Sequence, residues 1–102
     1  MTRTTVLAMV DGLDPEYLYS CSAPNFRELA KKVFQTEVRA MMPTVTNVNN
    51  TSLVTNSYPE CHGITSNYWL DRESGSEHYM ESGEYIQTET MFQRATRLGA
   101  RS

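Results

Sequence analysis

The segment Thr4–Val10 constrains this chain more than any other. It is β-branched and apolar almost throughout. A short continuous apolar run of this kind suits a strand covered on both faces, as in parallel sheets flanked by helices. Asp11-Gly12 ends it, and residues 13–23 read as a connection holding Pro15. A helix is predicted over Pro24–Phe34. There Phe26, Leu29, Ala30 and Val33 share one face, and Pro24 suits the first helical position. Thr36–Met41 alternates as a second strand until Pro43 stops it. The order strand, helix, strand argues an α/β fold.

The rest of the 102 residues fits one small domain. Val48–Thr55 predicts a short helix, with Thr46 and Asn47 as cap candidates. Residues 57–87 are polar and rich in turn formers. Within them Asn67–Asp71 and Glu77–Met80 predict a hairpin around Gly75. A last helix, Met91–Leu98, carries the capping box Thr90-x-x-Gln93 and the stop signal Gly99.

Charge excludes some functions. The net charge is −3, and the deficit lies in residues 51–102, so the chain lacks the basic footprint of a nucleic-acid binder. The apolar run Val6–Val10 is too short for a membrane span or a signal-peptide core, which predicts a cytoplasmic protein without a membrane partner. Cys21 and Cys61 match no metal spacing and read as free thiols, with a bridge between them as the alternative.

Three stretches could carry chemistry. Asp11 follows a predicted strand, where open α/β sheets build their sites, and an acid there can ligate a hard metal ion. Taken alone, Asp11-Gly12 is as simply read as a turn. Thr46 opens a predicted helix, whose N–H groups and dipole suit a phosphoryl or phosphonyl group. A threonine hydroxyl becomes a nucleophile once its proton is drawn off. Asn47, Asn49 and Asn50 offer amide donors, although Thr and Asn are also ordinary caps. Asn67 is a candidate oxyanion donor or a plain hairpin-edge residue. His62 lacks a partner ligand at helical spacing and reads as structural.

Six blocks in order then point one way. They are Val10-Asp11-Gly12, Ala23-Pro24-Asn25-Phe26 with Leu29-Ala30, Met42-Pro-Thr-Val-Thr46-Asn with Asn49-Asn50, Leu53-Val-Thr55, Tyr58-Pro with His62-Gly63-Ile64, and Asn67-Tyr68 with Asp71. Together they resemble the type I phosphodiesterase and nucleotide pyrophosphatase branch of the alkaline phosphatase superfamily. The resemblance covers most of residues 6–98. It implies the N-terminal part of an alkaline-phosphatase-like sheet with flanking helices, residues 1–102 being one fragment of a single hydrolase domain. It also implies that Thr46 is nucleophile and metal ligand, Asp11 a metal ligand, and Asn67 and Asn47 substrate-binding.

The run Asn47-Val48-Asn49-Asn50 is similar to phosphonoacetate hydrolases, where nucleotide pyrophosphatases carry Phe-Pro-Asn-His. The implied reaction is cleavage of phosphonoacetate to acetate and phosphate. Phosphodiester hydrolysis and a non-catalytic remnant are the alternatives. Asn56 and Ser66 depart from the resemblance, standing where glycine is usual. The implied cofactors are two divalent ions, Zn2+ by resemblance, whose other ligands lie outside these residues. The partner is a small phosphonate or phosphoester, and self-association through uncovered sheet edges fits the reading. The chain alone is expected to be inactive.

Overall fold

The computed structural model describes residues 4–102. The chain forms two compact units, the first ending at Arg39 and the second spanning Ala40–Ser102.

In the first unit, α1 (Pro15–Ser20) fills part of the expected connection. The Asp14 side chain accepts the Glu16 N–H at 2.8 Å, and Pro15 takes the first position. One cap and six residues make too weak a periodic signal to stand out in sequence. Helix α2 (Pro24–Ala30) starts at the expected proline but stops four residues before the predicted Phe34. Its predicted apolar stripe finds little to pack on, since Phe26, Leu29 and Val33 are each about half exposed. Helices this short draw their stability from a buried face more than from propensity. Arg27 ties α2 back to the connection, donating to the Cys21 carbonyl at 2.8 Å.

The two predicted strands are not formed as such. Neither Thr4–Val10 nor Thr36–Met41 enters a ladder among the described residues. Val6 is 81% exposed, so the burial on both faces expected of the first is absent, and Val38, on the apolar side of the second, is 84% exposed. The physical reason is that a parallel strand is a property of its neighbours. The sequence supplies apolar, β-branched residues, but pairing and cover must come from other segments.

The second unit follows the sequence more closely. Helix α3 spans Thr46–Thr55. Its propensity is poor, yet it holds because Val48 and Thr51 are buried and it packs on both later helices. Ser52 and Thr55 also bond back to the carbonyls of Val48 and Thr51, at 2.8 and 2.7 Å. The helix stops at Asn56, which is left-handed at φ 52°. Asparagine tolerates that region better than other residues with a Cβ.

Helix α4 (Pro59–His62) is a single turn that the polarity of residues 57–87 hid. Gly63 ends it at φ 80°, and a Cβ there would lie 2.7 Å from Gln87 Cδ. Strands β1 (Tyr68–Leu70) and β2 (Glu77–Tyr79) then pair antiparallel, with Trp69 opposite His78. The Asn67 carbonyl accepts the Met80 N–H at 2.8 Å and extends the ladder by one pair. Beyond a 3-10 turn at Gly83–Tyr85, α5 (Met91–Arg97) carries the expected Thr90–Gln93 capping box in full. Helices plus one small sheet bear out the α/β class.

The core is small and sits where α3 meets α4. Val48 and Ile64 are its buried apolar residues, and His62 is fully buried beside them. His62 Nδ1 accepts the Ile64 N–H at 3.1 Å, so Nε2 holds the proton and donates to Ser52 Oγ at 2.9 Å. The Ser52 hydroxyl donates in turn to the Val48 carbonyl. Every polar atom of this row is satisfied by a neutral imidazole. Burial pushes the His62 pKa down, partly offset by a backbone hydrogen bond. The structural reading of His62 therefore stands.

Candidate active site

The second unit builds one polar convergence around the start of α3. Val45 is the N-cap, with no side-chain cap bond, and Thr46 is the first helical residue. This corrects the expectation that Thr46 or Asn47 caps the helix. Capping needs an extended backbone, and here that belongs to Val45 at ψ 154°. The change puts Thr46 in the first turn, where the backbone N–H groups have no helical carbonyl to meet.

Asn67, just before β1, faces this turn. Its Oδ1 accepts the Asn47 backbone N–H at 3.2 Å. A backbone donor can be met only by the oxygen of that amide, so the Asn67 NH2 must be its other end. The Asn47 side chain reaches the same hairpin and donates from Nδ2 to the Met80 carbonyl at 2.8 Å. Asn47 and Asn67 are thus brought together, and they staple the first turn of α3 to the open end of the hairpin, where Asn67 and Met80 pair. Asn47 has an architectural duty besides any contact with substrate.

Asn49 has a different place from the one its sequence suggests. Its amide faces the backbone of the loop that enters α3, accepting the Met41 N–H at 2.8 Å and donating to the Val45 carbonyl at 3.1 Å. Sequence reasoning missed this role and that of the Met80 carbonyl. Nothing in an Asn-rich run tells which amide faces inward.

Asp11 belongs to the first unit. It lies exposed in the turn Asp11–Gly12, where Gly12 has φ +69°. Asp11-Gly12 thus forms a turn with Asp11 exposed, and a residue in a turn can also ligate a metal ion. Among the described residues no three His, Cys, Asp or Glu side chains gather as a metal site would require. Carboxylate and hydroxyl oxygens are the right hard donors for a divalent ion, but the donor set present here is incomplete for one. Cys21 and Cys61 are free, exposed thiols.

This geometry, a threonine opening a helix whose first turn is stapled by asparagines, can be set beside known proteins. The profile of the type I phosphodiesterase / nucleotide pyrophosphatase family matches residues 5–102. The chain belongs to that family. It is 35% identical over 75 residues to an uncharacterized pyrophosphatase/phosphodiesterase of Schizosaccharomyces pombe, covering 72% of this chain and 16% of that protein. To the human ectonucleotide pyrophosphatase/phosphodiesterase family member 1 it is 33% identical over 91 residues, 86% of this chain and 10% of the relative.

A crystal structure of phosphonoacetate hydrolase from Sinorhizobium meliloti 1021, in complex with phosphonoacetate, superposes with a TM-score of 0.68 at 32% identity. That match covers 89% of this chain and 23% of the hydrolase. The chain is therefore an alkaline-phosphatase-like segment, and it spans about a sixth of the length of its yeast family relative. No helix among the described residues is long and apolar enough to cross a membrane.

Proposed function

We propose that this chain supplies the nucleophile-bearing segment of a phosphonate hydrolase, with phosphonoacetate as substrate and Thr46 as nucleophile. The observation that carries the reading is the first turn of α3. Thr46 stands at its opening, and the Asn67 amide is oriented by the Asn47 N–H beside it. The likeness to a phosphonoacetate hydrolase and the Asn47–Asn50 run support the choice of substrate.

In the proposed reaction Thr46 Oγ attacks phosphorus in line and gives up its proton. The bond between carbon and phosphorus breaks, the leaving carbon takes a proton to become acetate, and the phosphoryl group rests on Thr46. Water then attacks the same phosphorus, the bond to Thr46 Oγ breaks, and Oγ takes a proton from the attacking water as phosphate leaves. The role of α3 is to bring the positive end of its dipole to the non-bridging oxygens, and Asn67, held by the Asn47 N–H, adds its NH2 as a donor. Two divalent ions, Zn2+ by resemblance and with Asp11 among their ligands, enter the proposal from the family alone. Metal ions in such enzymes stabilise the transferring group and activate the attacking oxygen. The residues described here do not complete a site for them, so the steps above are written for this chain's own groups.

The family match and the yeast and human relatives favour a second reading, hydrolysis of a phosphodiester or a nucleotide pyrophosphate. One assay separates the two. The complete hydrolase carrying these residues is offered phosphonoacetate and a nitrophenyl phosphodiester side by side. A kcat/KM higher for phosphonoacetate is expected. A preference for the diester would move the substrate to the second reading.

A further inference from the structure

We infer that Asn49 is a positioning residue for Thr46. The inference rests on the Thr46 reading and adds how that hydroxyl is held. Asn49 sits one helical turn beyond the N-cap, half-buried, with its amide turned back onto the loop 41–45. Its Oδ1 accepts the Met41 N–H at 2.8 Å, while Nδ2 donates to the Met41 carbonyl at 3.4 Å and the Val45 carbonyl at 3.1 Å. The Asn49 backbone N–H also donates to the Val45 carbonyl, at 3.2 Å.

The Val45 carbonyl belongs to the peptide plane that carries the Thr46 N–H. That plane is rigid, so clamping its oxygen from two sides sets the direction in which Thr46 leaves it. The Met41 contacts fix the other end of the loop, where one residue's N–H and carbonyl both meet the same amide. Only a primary amide answers both. Aspartate keeps the acceptor but sets an anionic oxygen against two carbonyls. Glutamine has the right groups one methylene too far out. Alanine removes all three side-chain bonds to the loop.

In-line attack depends on placing the nucleophile closely, and a shift of about 1 Å can cost about 100-fold in rate. The test uses the complete hydrolase with Asn49→Ala, Asn49→Asp and Thr46→Ala in parallel, rates being expressed per folded molecule. Both Asn49 variants should lose about 10- to 100-fold in kcat with KM within about threefold, the signature of a misplaced nucleophile rather than lost substrate binding. In the 102-residue chain, Asn49→Ala should speed amide exchange at Met41 by about tenfold or more while the α5 amides keep their protection.

If Thr46→Ala is dead and Asn49→Ala keeps kcat within about twofold of wild type, or loses only in KM, the positioning role is overturned and the nucleophile stands. If Thr46→Ala stays active, the nucleophile reading falls and positioning of a nucleophile falls with it. Unchanged exchange at Met41 would overturn the clamp itself.

Discussion

Thr46→Ala is expected to abolish turnover in the complete hydrolase, because no neighbouring group can replace a lost covalent nucleophile. Asn67→Ala should be gentler. Removing one donor to a developing oxyanion costs about 100- to 1,000-fold in kcat, which leaves a measurable rate. Steady-state assays of the two variants would decide between these roles, and wild-type turnover by Thr46→Ala would end the nucleophile proposal.

His62 makes a second prediction at this scale. Its folded pKa lies below the usual histidine value of 6.5, because burial disfavours the charged ring. The unfolded chain therefore binds the proton first as pH falls, so stability is retained above about 6.5 and declines below it. Urea unfolding of the chain at pH 7.5 and 5.5 should show the loss. His62→Gln should flatten the difference, and an unchanged pH slope in that variant would assign it elsewhere. Gly63 sits next to this ring at φ 80° with Gln87 against it. Gly63→Ala should cost about 1–2 kcal/mol from the left-handed backbone alone, read by the same unfolding measurement.

Among the elements, α5 is the clearest case of local sequence dictating structure. Thr90 Oγ1 accepts the Gln93 N–H at 3.3 Å, and Gln93 Oε1 accepts the Thr90 N–H at 2.8 Å. Thr90→Ala should destabilise the second unit by about 1 kcal/mol, and Thr90→Ser should recover most of it. A thermal melt of the three proteins checks this, with no difference counting against the cap. The ion pair between Arg97 and Glu89, 3.0 Å across an exposed surface, adds little by comparison. Helix α3 shows the opposite balance. It has no capping side chain, and the burial of Val48 with the Asn47, Asn49 and Asn67 contacts secures it.

At the scale of the whole molecule, apolar surface outruns cover. The first unit has a groove of about 400 Å3 lined by residues such as Leu18, Phe26, Leu29 and Val33. Two exposed apolar segments flank its helices. Such surface favours self-association of the isolated chain, which sedimentation would detect. The isolated 102 residues should not hydrolyse phosphonoacetate or a phosphodiester at an enzymatic rate, even with added zinc. One carboxylate and one hydroxyl fall short of the three protein ligands that catalytic zinc sites use. Zinc-dependent turnover at ordinary enzymatic rates would show that the ligand count is wrong.

The sequence by itself determined the features whose physics is local. The Thr90–Gln93 box, the Pro24 start of α2 and the hairpin around Gly75 all depend on residues within a turn or two of one another. The family was also legible, because its motifs are short and ordered along the chain. Tertiary structure alone decided the rest. Whether Thr4–Val10 becomes a strand depends on partners that composition cannot supply. Which asparagine of residues 47–50 meets the hairpin and which clamps the loop depends on where residues 41, 67 and 80 come to rest. Hydrogen bonds across such separations are set by packing, and a run of similar amides carries no local mark of its partners.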